Sequence, residues 1–131
     1  MARPYLGGSS GAVKRITESQ TLSIADSGKL FVCANAALDI TLPVASEAKG
    51  WTGTFVLAAN ATNIIDIIGS PSDKMYGTVI AENGTAIDAA DKVYFAANAA
   101  IVGDRIEVIS DGTNWQCLGF AIDDAHIGST G

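Results

Sequence analysis

The stretch GDRIEVISDGTNWQCLGF, residues 103–120, reads as two extended runs joined at Asp111-Gly112. In its first half the apolar Ile106 and Val108 alternate with the charged Arg105 and Glu107, a period of two that sets one pair on each face of a strand. Asp-Gly is a turn dipeptide, because Asp hydrogen-bonds back to its own chain and Gly accepts a positive φ. The segment is therefore a β-hairpin with one wet face, and it contains no catalytic constellation.

The same grammar extends outward from this hairpin. Short apolar runs closed by Gly, Asn, Asp or Ser recur at 13–17, 21–24, 29–34, 39–43, 53–59, 63–69, 75–81, 92–97, 104–110 and 114–122. Asp26-Ser27-Gly28 and Asn83-Gly84 supply further turns, the latter suited to a type I′ hairpin. Hairpins as the default connection imply antiparallel pairing. The expected fold is all-β: a single antiparallel β-sandwich, jelly-roll-like, over residues 13–122, with a flexible N-terminal arm (1–12) and a C-terminal tail (123–131). The arm is expected to be flexible because its GGSSG tract offers nothing to bury. Phe31, Val32, Ile40, Leu42, Phe55, Leu57, Ile65, Ile67, Val93, Phe95, Ile106, Val108 and Trp115 are the expected core. The Ala-rich, charged segments 45–50 and 86–93 are too short for lone helices and read as loops with helical character, and 96–104 reads as an irregular crossover.

Bulk composition narrows the function. A chain of 131 residues fits one domain, and its 48% apolar but only 7% aromatic content predicts thin layers built from Ile, Val and Leu. A net charge of −6 with only eight Lys and Arg excludes a phosphate-binding face, so no nucleic-acid partner is expected. Four of those cations, Arg3, Lys14, Arg15 and Lys29, fall in the first thirty positions and suggest a basic arm on an acidic body. No run approaches the ~18–20 apolar residues that cross a bilayer, and residues 1–15 lack the apolar centre of a secretory signal, so the expectation is cytosolic production without a membrane partner.

Reactive residues are few. Cys33 and Cys117 sit in strand-like runs without C-x-x-C spacing and read as buried free thiols, a disulfide between neighbouring strands being the alternative. The lone histidine, His126, lies in the tail and reads as exposed. Calcium finds no D-x-D-x-D run; Asp123-Asp124 beside His126 is the nearest approach to a site. GGSSG lacks the Lys of a phosphate loop, and Asn60-Ala61-Thr62 and Asn83-Gly84-Thr85 match the glycosylation pattern only as turns. No enzyme, cofactor or metal is expected. Of the two tryptophans, Trp51 follows Gly50 in a loop and is the candidate for exposure, as a subunit contact or a platform for a sugar ring.

In order and spacing, Asp26/Gly28, Ile40-Thr41-Leu42-Pro43, Gly53/Phe55/Leu57 and the closing hairpin from Gly103 to Trp115 resemble small β domains of tailed-bacteriophage structural proteins. The resemblance spans residues 21–119 and implies either a head decoration (cement) protein that trimerises on the capsid or a tail-fibre module. A short chain without heptads suits the cement role. The implied partners are the major capsid protein and further copies of the chain in a homotrimer. The implied location is the outer capsid surface of the virion, assembled in the host cytoplasm. Arg3, Tyr5 and Leu6 of the arm are the expected capsid-reaching residues, with Trp51 at a contact. The alternative from another class is a tail-fibre or appendage module that recognises host surface glycans through Trp51 and neighbouring Asn and Asp side chains.

Overall fold

The computed structural model describes residues 12–69 and 72–131, so the arm residues Arg3, Tyr5 and Leu6 lie outside the described residues. The described residues form twelve strands: β1 (Val13–Ile16), β2 (Gln20–Thr21), β3 (Lys29–Cys33), β4 (Leu38–Thr41), β5 (Thr52–Leu57), β6 (Ile65–Ile68), β7 (Met75–Ile80), β8 (Thr85–Ala90), β9 (Lys92–Phe95), β10 (Arg105–Ser110), β11 (Trp115–Phe120) and β12 (Ile127–Thr130). They build a seven-stranded sheet, β1-β3-β5-β10-β11-β7-β8, and a five-stranded sheet, β12-β9-β6-β4-β2. The fold is an all-β sandwich, as the punctuated apolar runs predict.

The pairing is not antiparallel throughout. From β1 to β6 the chain alternates between the two sheets, so β1, β3 and β5 pair in parallel in one and β2, β4 and β6 in the other. Hairpins take over only later, at β7–β8 and β10–β11. A jelly roll pairs its strands antiparallel, and this path is different. The physical reason is that a turn signal states where the chain bends and not which sheet receives it. Gly28, at φ +85°, turns the chain from the second sheet into the first, where its N–H donates to the Thr52 carbonyl at 2.8 Å.

One sequence feature marks the winding: Ala34-Asn35-Ala36, Ala59-Asn60-Ala61 and Ala97-Asn98-Ala99 occupy stacked corners. Asn35 Oδ1 accepts the Thr62 N–H at 2.9 Å, and Asn60 Oδ1 accepts the Val102 N–H at 3.0 Å. Asn98, at φ +61°, donates its backbone N–H to Ala61. The side-chain amide thus binds the backbone of the next layer where the strand ladder has ended.

Inside, the in-register Phe31 and Phe55 stack with centroids 4.8 Å apart, while Leu38, Ile65, Phe95 and Ile127 form a ladder across the opposite sheet. Every expected core residue is buried except Val32, which is half-buried on the outer face. Three local expectations change. Segment 86–93 is extended, most of it in β8, because Ile87 and Ala90 drop into the core. Residues 127–130 are no tail but β12, which pairs along β9 and buries Ile127. The run 21–24 is strand only at Gln20–Thr21 before a 3-10 turn at Ile24–Asp26. Segment 45–50 carries one 3-10 turn, at Ala45–Glu47. The hairpin loops hold four residues each, 81–84 and 111–114, and only their glycines, Gly84 and Gly112, have positive φ, so neither is type I′.

Candidate interaction surface

Trp51 does not face solvent. It is 2% exposed, its ring lies 6.0 Å from Phe31 and meets Trp115 edge-on at 5.4 Å, and its Nε1 donates to the Ser23 carbonyl at 3.0 Å. The expectation of a contact or sugar platform there is therefore corrected. The 3-10 turn at Ala45–Glu47 and the following residues steer the chain inward, so an indole next to a glycine becomes the centre of an aromatic cluster.

What the chain does expose is apolar surface on the seven-stranded sheet. Along β11 the small Cys117 and Gly119 point inward, while Leu118 and Phe120 point out and Ile122 continues the line beyond the strand end. Phe120 stands in register with Ile80 of β7 and Arg105 of β10; Leu118 is in register with Glu107 and Thr78. Beyond Phe120 the stripe opens into a notch of about 410 Å³ lined by Ile80, Ile101, Val102, Phe120 and Ile122. Ile122 is 77% exposed, Val102 55% and Ile80 49%. A second groove of about 400 Å³ continues the surface past Leu118 to Ile109, Thr52 and Thr54. Three separate chain segments thus converge on one apolar patch, the arrangement expected of a contact surface.

The notch has a rigid base. Asp104, 2% exposed, accepts the Ile101 N–H at 2.8 Å and lies 3.0 Å from Nδ1 of His126, all through Oδ2. His126 is accordingly a partly buried brace between the crossover and β12, not an exposed tail residue. Asp124 accepts hydrogen bonds from the Asn83 and Gly84 backbones and from the Asn83 amide at 2.7 Å, and Asp123 caps the Ala125 N–H. Asp123 and Asp124 thus hold the β7–β8 loop and the approach to β12. Cys33 and Cys117 are free and buried, with β5 and β10 between their strands, and burial pushes both thiols up to about 12.

The outer face of the five-stranded sheet is polar by contrast. Asp39 of β4, Asp66 of β6 and Tyr94 of β9 stand in one register row, with the Tyr94 ring laid over Gly128 of β12. Lys92 Nζ donates to Asp66 Oδ2 at 3.1 Å. Asp66 is only 6% exposed, and its Oδ1 has no hydrogen-bond partner among the described residues.

Sequence reasoning missed the apolar patch although a signal was present. NWQCLGF places its larger apolar side chains, Leu118 and Phe120, on the face opposite Trp115, where a strand with one wet face would carry polar residues. Compared with known proteins, the chain matches no protein-family model and no curated sequence.

Proposed function

We propose that the chain is a virion structural protein, a capsid decoration or cement protein that sits on the outer capsid surface as a homotrimer and bridges neighbouring capsomers. The reading starts from the likeness of residues 21–119 to small β domains of tailed phages. The observation that carries it is the apolar stripe Leu118, Phe120, Ile122 with its notch, on a sandwich whose loops are tied by side-chain hydrogen bonds. An adhesive protein needs a rigid body with an apolar face, and repetition around a symmetric trimer multiplies weak contacts through effective concentration. Arg3, Tyr5 and Leu6 remain the residues proposed to reach the capsid. The glycan-recognition alternative depended on an exposed Trp51 and has lost its stacking platform.

Imaging of purified particles tests the proposal. Hundreds of copies in three-fold clusters on the shell are expected; a handful at the tail would replace it with a fibre role. Deleting residues 1–10 should weaken attachment while the body stays folded. Ile122→Asp should abolish trimerisation or attachment with little change in monomer stability, because the side chain is mostly exposed.

A further inference from the structure

The polar face of the five-stranded sheet holds a lysine, a buried carboxyl and a second carboxyl on three adjacent, hydrogen-bonded strands. Lys92 Nζ of β9 is 3.1 Å from Asp66 Oδ2 of β6, and Asp39 of β4 stands in parallel register with Asp66 on its other side. We propose that Lys92 and Asp66 condense to an intramolecular amide, a covalent clamp between β9 and β6, with Asp39 carrying the protons.

The chemistry needs a neutral amine, a neutral carboxylic acid and a group to move protons between them. Burial, which disfavours the charged carboxylate, is the first cause that raises the proton affinity of Asp66; Lys92 opposes it and the adjacent Asp39 adds to it. Proton transfer from the Lys92 ammonium to the Asp66 carboxylate yields the neutral pair. The Nζ lone pair then attacks Cγ of Asp66, forming the C–N bond as the carbonyl π pair moves to oxygen. Solvent water at the Lys92 side chain, which is 34% exposed, takes the surplus proton from Nζ and passes it to Asp39 on the far side of Asp66; Asp39 delivers it to the hydroxyl group, which leaves with the C–O bonding pair as water while the carbonyl re-forms. Ammonium and carboxylate have become an amide and one water, Asp39 ends as it began, and no oxidant or reductant enters. Paired strands hold the reacting atoms together, which replaces a bimolecular encounter by an intramolecular one.

The other lysine–aspartate pairs lack one or more of these parts. Lys74 and Asp91 are in contact, but the Asp91 side chain is 58% exposed against 8% for Asp66, so its carboxyl is not withdrawn from water. Asp26 is as buried as Asp66, yet its proton affinity is lowered to about 2, so its carboxylate stays an unreactive anion.

Mass spectrometry of the full-length folded protein, followed by peptide mapping, decides the matter. The expected result is a chain lighter by one water, with the peptide containing Asp66 joined to the peptide containing Lys92. Lys92→Arg should retain the ion pair and run at full mass. Asp39→Asn should also run at full mass while its circular-dichroism spectrum stays native, which assigns the proton-carrying role. Full mass for the native chain would overturn the proposal, as would a water loss mapped to Asp111-Gly112. A one-water loss persisting in Asp39→Asn would remove Asp39 from the mechanism.

Discussion

Asp26 and Asp66 are equally hidden, each 6% exposed and each bonded to a lysine, and the fold drives them in opposite directions. Burial works against the charge of both. At Asp26 it is outweighed by the Ser23 N–H at 2.9 Å, by Lys29 at 3.0 Å and by Lys14, and the carboxyl is held down at about 2. At Asp66 a single lysine faces burial reinforced by a second carboxylate, and the carboxyl is pushed up. The difference teaches that burial alone does not decide a carboxyl's state; the count of donors and cations around it does. Lys14 reaches Asp26 because it occupies an inward-facing position on the edge strand β1, in register with Phe31.

Variants can break or sharpen this comparison. The largest effect is expected from Lys92→Arg, which removes the proposed clamp closing residues 66–92. Urea denaturation at pH 7 should show a loss of about 3–4 kcal/mol, the scale of a covalent link across a loop of that length. An unchanged midpoint would return Asp66 to the status of an ordinary ion-paired carboxylate. Next is Asp26→Asn, with a loss of about 2 kcal/mol at pH 7, the free-energy equivalent of a fall from 3.8 to about 2.

The pH dependence follows with its sign. Because the folded-state value of Asp26 is depressed, its contribution is present above the unfolded value of 3.8 and is lost as pH falls through about 2. Acid titration of stability should therefore be flatter in Asp26→Asn than in the native chain. Asp66 has the reverse sign wherever it stays a free carboxyl, as in Lys92→Arg. Its raised value favours the fold at low pH, and that contribution disappears as pH rises through the folded value. Adding Asp66→Asn to Lys92→Arg should consequently raise the urea midpoint at pH 7, by less than the Asp26 effect. Last, Lys74→Ala at the exposed pair should stay within about 0.5 kcal/mol of the native chain, as is usual for solvated ion pairs.

Much of the scaffold was legible because it rests on local chemistry. The alternation in 105–110 and the Asp111-Gly112 turn correctly predict β10 and β11, and Asp111 Oδ1 accepts the N–H groups of Thr113 and Asn114 at 2.8 Å. β8 escaped notice because its alanines and aspartate carry little strand propensity and its position is set by packing against β7. β12 escaped because Ile-Gly-Ser-Thr has one large apolar residue, and its partner β9 lies over thirty residues earlier. The apolar patch and the Lys92–Asp66–Asp39 group each draw on segments distant in sequence, so no local window contains them.

By itself the sequence determined that this chain is extended ribbon with a core of Phe31, Phe55, Phe95, Trp115 and the aliphatic residues around them, because side-chain period and turn chemistry act within a few residues. Only the tertiary structure decided that the first six strands wind in parallel between two sheets, that Trp51 goes inside while Ile122 stays out, and that Asp26 and Asp66 diverge. These outcomes depend on which distant backbone and which distant charge each residue meets, and that is fixed by the closure of the whole sandwich.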